Sequence, residues 1–80
     1  MREFRDDQGT TWLATVKERE GDDYKGRYWF VAVPKGGGQE DAVELLDVRW
    51  NSLKTAERTL RTMSEKELRR RHRWAAGRTV

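Results

Sequence analysis

Hydrophobic and polar positions alternate along the first fifty residues, then recur every three or four residues to the end of the chain. Alternation is the mark of a strand with one buried face, and the longer spacing is the mark of an amphipathic helix. Residues 2–5 read as a short strand. Asp6-Asp7-Gln8-Gly9 is the turn after it, because glycine takes a positive φ without steric cost. Residues 10–19 place Trp12, Ala14 and Val16 on one side and Thr11, Leu13, Thr15 and Lys17 on the other. Glu20-Gly21-Asp22-Asp23 is a second turn. Tyr24 to Val33 is the clearest strand, dense in aromatic and β-branched residues. Pro34-Lys35-Gly36-Gly37-Gly38-Gln39 ends it in a flexible loop. A fourth strand over 42–50 carries Ala42, Glu44, Leu46, Val48 and Trp50 on one side and Val43, Leu45, Asp47 and Arg49 on the other.

After Trp50, the residues Leu53, Ala56, Leu60 and Met63 fit one helix, capped by Asn51 or Ser52. Ser64-Glu65-Lys66-Glu67 has the spacing of a capping box and starts a second helix, which ends near Gly77. The expectation is an α+β fold: a small antiparallel meander of three to four strands followed by one or two C-terminal helices packed on one face. Residues 1–80 form a single domain, with a sheet over 1–50 and a basic helical segment over 51–80. The expected core is Phe4, Trp12, Ala14, Val16, Phe30, Ala32, Leu46, Val48, Trp50, Leu53, Leu60 and Leu68. The opposite sheet face would leave Leu13, Trp29, Val31 and Val33 near solvent, a first hint of a partner.

Composition sharpens this picture. The chain has 80 residues, of which 39% are charged, and no cysteine, so a disulfide framework and a thiolate metal site are both excluded. Four Trp, two Tyr and two Phe argue for a folded chain in spite of the charge. No apolar run approaches the length of about 20 residues that spans a bilayer. The opening Met1-Arg2-Glu3-Phe4-Arg5-Asp6-Asp7 does not resemble a signal peptide, and with the lack of cysteine this points to a cytoplasmic location. The net charge of +3 hides a split: residues 1–50 hold eight Lys/Arg and eleven Asp/Glu, residues 51–80 nine and three. The last thirty residues are therefore the basic part.

That basic part holds the candidate chemistry. On a helical wheel Lys66, Arg69, Arg70 and Arg73 form one stripe opposite Leu68 and Ala75, and Trp74 sits beside it. Arginine suits bidentate contact with carboxylate or phosphate, and an exposed tryptophan beside arginines is a common interface anchor. The plainer alternatives are a solvated helix face and a tryptophan folded back onto the sheet edge. The candidate partner-binding residues are thus Lys66, Arg69, Arg70, Arg73, Trp74 and Trp29. The Pro34–Gly38 loop lacks the spacing of a phosphate-binding loop. His72 is the sole histidine, and Ser52 and Ser64 are taken as helix caps, so neither a metal cluster nor a Ser–His–Asp arrangement is expected, and no catalytic residue or cofactor is assigned.

The order of elements, from the Arg2-Glu3-Phe4…Trp12 hairpin to the Met63-Ser64-Glu65-Lys66-Glu67-Leu68 helix, resembles that of short bacterial proteins; the resemblance implies no activity and transfers no site residue. Two functions are compatible with these features. The first is a non-catalytic accessory subunit or docking module of a larger protein assembly with an acidic surface. The cytoplasmic face of a membrane complex would suit it, since anionic headgroups attract Lys and Arg. The second is a small nucleic-acid-binding protein using the basic C-terminal helix. The acidic sheet half counts against it, because carboxylates repel phosphates.

Overall fold

The computed structural model describes residues 1–18 and 27–77. Four antiparallel strands, β1 (Arg2–Arg5), β2 (Thr11–Glu18), β3 (Tyr28–Pro34) and β4 (Val43–Trp50), lie in the order β1-β2-β3-β4. Two helices follow, α1 (Leu53–Thr62) and α2 (Glu65–Gly77), giving the expected α+β meander with helices at its C-terminal end. The turn at Glu20 to Asp23 and the first residues assigned to the third strand, 24–26, lie outside the described residues.

Local chemistry sets the turns. Gly9 takes φ 83° between β1 and β2. Asp6 organises the rest of that turn, as its carboxylate accepts from the N–H groups of Gln8 and Thr10, each at 2.9 Å. After β3, Gly37 N–H donates to Pro34 C=O at 2.8 Å across Gly36, whose φ of 84° only glycine adopts cheaply. The loop that follows contains one 3-10 turn, Gln39–Asp41, which the glycine run had concealed.

Each helix begins at a serine. Ser52 Oγ accepts from Thr55 N–H at 3.4 Å and Ser64 Oγ from Glu67 N–H at 3.1 Å. Extended Met63 separates the two helices. At that break the Arg2 guanidinium reaches across from β1 and donates to the carbonyls of Leu60, Arg61 and Met63 at 3.0, 3.2 and 2.6 Å. These are C-terminal carbonyls with no partner inside α1, so a strand cation caps the helix.

The core lies between the helices and one sheet face: Phe4, Trp12, Ala14, Phe30, Ala32 and Leu45 from the strands, Ala56, Leu60 and Leu68 from the helices. β4 departs from the expected face. Tyr28 pairs with Trp50 and Phe30 with Leu45, so two steps along β3 oppose five along β4. An odd offset exchanges the inward and outward positions. Val43 and Leu45 therefore point inward before the irregularity, and Trp50 packs inward after it, its ring stacked on Phe30 at 4.3 Å. Leu46, expected in the core, is exposed, and Val48 is only half-buried. Leu53 is exposed as well; it occupies the first position of α1, and Ala56 and Leu60 make the helix's buried contact.

The face away from the helices is also corrected. Trp29 and Val31 are 8% and 7% exposed, not near solvent. The Arg49 guanidinium lies 5.8 Å from the Trp29 ring centroid. Lys17 on β2 and Glu44 on β4 form a 3.4 Å ion pair across the intervening β3, beside Val31, which pairs with Glu44.

Candidate functional site

The six residues expected to bind a partner do not form one surface. Trp29 is on the sheet face away from the helices and is buried, with its indole Nε1 lacking a hydrogen-bond partner among the described residues. Lys66, Arg69, Arg70, Arg73 and Trp74 all lie on α2, but three of the four cations are engaged. Arg69 Nε donates to the Arg5 carbonyl at 2.8 Å, and its Nη2 lies 3.4 Å from Glu65. Glu65 in turn accepts from the Arg5 N–H at 3.0 Å. Together they occupy backbone groups of β1, an edge strand whose unpaired groups would otherwise invite another strand. Arg70 grips Glu67 through Nε and Nη2, at 3.1 and 2.6 Å. Arg73 pairs with Asp7 at 3.0 Å. Lys66 alone in the stripe makes no ion pair among the described residues.

Arg71, off the stripe, is the most firmly held: Nη1 meets Asp47 at 2.7 Å, Nε meets Glu67 at 3.1 Å, and only 19% of its side chain is exposed. These bonds hold the Glu67 carboxyl below its ordinary value, chiefly through Arg70, and raise Arg70 in return. The stripe is therefore largely a set of ties joining α2 to itself, to β1 and to the first turn, and Arg71 beside it adds the tie to β4. The partners Asp7, of Arg73, and Asp47, of Arg71, are distant in sequence, which is why helix periodicity could not reveal the pairing.

His72 is the residue the sequence undervalued. It is buried on the inner face of α2, 4.2 Å from the Trp12 ring and 5.7 Å from the Phe4 ring between centroids. Its Nε2 has no hydrogen-bond partner among the described residues. Burial pushes its pKa down, opposed by the Asp6 and Asp7 carboxylates. Asp6 also accepts from the Trp12 indole at 2.9 Å, and that bond, with the turn N–H groups, lowers its pKa. His72 is thus a core ring in an aromatic sandwich. The hydroxyls of Ser52 and Ser64 accept from backbone N–H groups at the helix starts. Among the described residues no group of three or more His, Asp or Glu is placed to hold a metal ion, and no helix is long and apolar enough to cross a membrane.

A groove of about 660 Å³ is bounded by β2, β3, β4 and the end of α2. Val31, Val33 and Val43 line its apolar part, with Leu46, Arg71 and Trp74 beside them. Trp74 is 60% exposed and Leu46 41%. Trp74 lies on the outer side of α2 because Leu68 and His72 take the inner one. Leu46 is outward because the β4 irregularity gives Leu45 the inward position. The Lys17–Glu44 and Arg71–Asp47 pairs supply the polar lining, already neutralised. No known family model, characterised protein or solved structure matches this chain, so its geometry carries the functional argument.

Proposed function

We propose that this protein is a non-catalytic docking module, an accessory subunit of a larger protein assembly, and that it engages its partner through the groove beside Trp74 and Leu46. The observation that carries the reading is the pairing of a 60% exposed tryptophan with a 41% exposed leucine beside a valine-lined groove. Exposed tryptophan in such a setting is a common interface anchor. The partner is a protein segment presenting aliphatic side chains to the valines and neutral hydrogen-bonding groups to the ion-paired lining. An acidic partner fits this groove less well, because Lys17 and Arg71 already have carboxylates. The cytoplasmic location, and with it the cytoplasmic face of a membrane complex, belongs to the same proposal and rests on the lack of cysteine.

The test compares proteins that co-purify with the wild type and with Trp74→Ala or Leu46→Asn, after circular dichroism has shown both variants folded. A defined partner held by the wild type and lost from both variants supports the reading. Retention of that partner by both folded variants removes the groove from the interface. Concentration-dependent self-association abolished by Trp74→Ala would replace the heterologous partner with a second copy.

A further inference from the structure

We infer that the outer face of α1 contacts the phosphate backbone of duplex nucleic acid, an interaction separate from the groove and independent of it. Stepping about 100° per residue, Ala56 and Leu60 turn toward the sheet while Lys54, Arg58 and Arg61 fall within a strip about 60° wide on the far side. Ala56 and Leu60 are indeed buried, and all three cations are exposed. None of the three forms an ion pair among the described residues, in contrast to α2. Glu57 flanks the strip without pairing to it. Lys66, at the start of α2, is exposed and likewise without an ion pair among the described residues.

Five carboxylates of the acidic half of the chain are already engaged by cations. Glu3, Glu18, Glu44, Asp7 and Asp47 each hold a lysine or arginine, and Asp6 holds the Trp12 indole. The repulsion expected from the sequence is therefore offset at these paired carboxylates. Three features favour a phosphate backbone over a protein or a single strand. The strip has no large apolar side chain to form the desolvated centre of a protein interface. It has no aromatic ring on which unpaired bases could stack. From Lys54 to Arg61 is seven residues, about 10.5 Å of helix axis, and one strand of a duplex carries a phosphate about every 3.4 Å, so three cations face about three phosphates.

The experiment is anisotropy of a labelled 20-base-pair DNA duplex, a length of about two helical turns, titrated with the full chain over a salt series. The wild type binds weakly, with Kd on the order of 10⁻⁴–10⁻⁶ M and a slope of log affinity against log salt near −2.7, from about 0.9 per phosphate contact. Arg58→Ala with Arg61→Ala flattens the slope to about −0.9 and weakens binding roughly 100-fold at low salt. Arg70→Ala with Arg73→Ala removes the same formal charge from α2 and leaves the slope near the wild-type value. Circular dichroism checks the fold of both pairs. Equal losses in the two pairs would reduce the effect to net charge and overturn the assignment. So would no binding at the lowest salt, or tighter binding to polyglutamate or to phosphatidylserine vesicles than to the duplex. Trp74→Ala leaves duplex binding intact, so failure here and failure of the groove are separate results.

Discussion

The two helices carry similar sequence signals and use them differently. Both are amphipathic, both start at a serine cap, and both are rich in arginine. α1 is held to the sheet by Ala56 and Leu60 and by Arg2 across its last carbonyls, while its own cations face solvent. α2 is held by Leu68 and His72 and also by its cations, through Arg69 to β1, Arg71 to β4 and Arg73 to the first turn. The denser cationic helix is thus the less available one. What decides is the placement of carboxylates: Asp7, Asp47, Glu65 and Glu67 pair with the cations of α2, whereas among the described residues no carboxylate pairs with the α1 strip, Glu57 beside it included.

The largest expected effect tests whether the helices are separately anchored. Leu60 and Leu68 are 3% and 0% exposed. Truncating either to alanine costs about 3–5 kcal/mol, against a total stability of about 4–12 kcal/mol for a chain of 80 residues. Urea unfolding followed by tryptophan fluorescence reads the loss. Hydrogen exchange sharpens it: Leu60→Ala should deprotect α1 amides well before those of α2, which keeps its sheet ties. Equal deprotection of both helices would show that they open as one unit and erase the contrast between them.

What was legible in the sequence follows from range. The strand order rests on period-two patterning and on turns such as Asp6 to Gly9, all local, and the helix break at Met63–Ser64 rests on a local cap. The inward face of β4 was not legible, because adjacent Leu45 and Leu46 fit either parity and the β3 pairing decides between them. The seam of α2 was read from Leu68 and Ala75, and the burial of His72 depends on Phe4 and Trp12, which arrive from the first hairpin. Trp74 beside the arginines was visible as a candidate anchor; the valine groove next to it needed three strands assembled.

The intermediate effect concerns pH and centres on His72 of α2. His72 has a folded pKa below its ordinary 6.5 because burial disfavours the imidazolium. The unfolded chain therefore binds the proton more readily, so stability is fully present above about pH 6.5 and falls as the solution is acidified below it. Asp6 has a lowered pKa too and loses its contribution at lower pH, where its carboxylate protonates. His72→Phe keeps a ring against Trp12 and Phe4 and removes the unpartnered Nε2. At pH 7 it should lie within about 1 kcal/mol of the wild type, since removing an unsatisfied buried polar atom is close to neutral. Between pH 6.5 and 5 its unfolding midpoint should hold steady while the wild type declines. Parallel declines would show that His72 does not carry the acid sensitivity.

The smallest effect separates ties that hold α2 from ties that merely occupy its charge. Arg73 and Asp7 are 61% and 49% exposed at the side chain, so water and salt screen their attraction. A double-mutant cycle, Arg73→Ala against Asp7→Ala, should give a coupling below about 0.5 kcal/mol that fades with added salt. Arg71 and Asp47 are 19% and 32% exposed at 2.7 Å, and their cycle should give on the order of 1 kcal/mol with little salt dependence. The order matters for availability. A weakly coupled Arg73 can leave Asp7 for another anion, whereas Arg71 is committed to β4. If the Arg73–Asp7 coupling equals or exceeds that of Arg71–Asp47, exposure is not what ranks these ties. The whole cationic face of α2 would then be structural, and the contrast with α1 would be sharper than solvent screening alone implies.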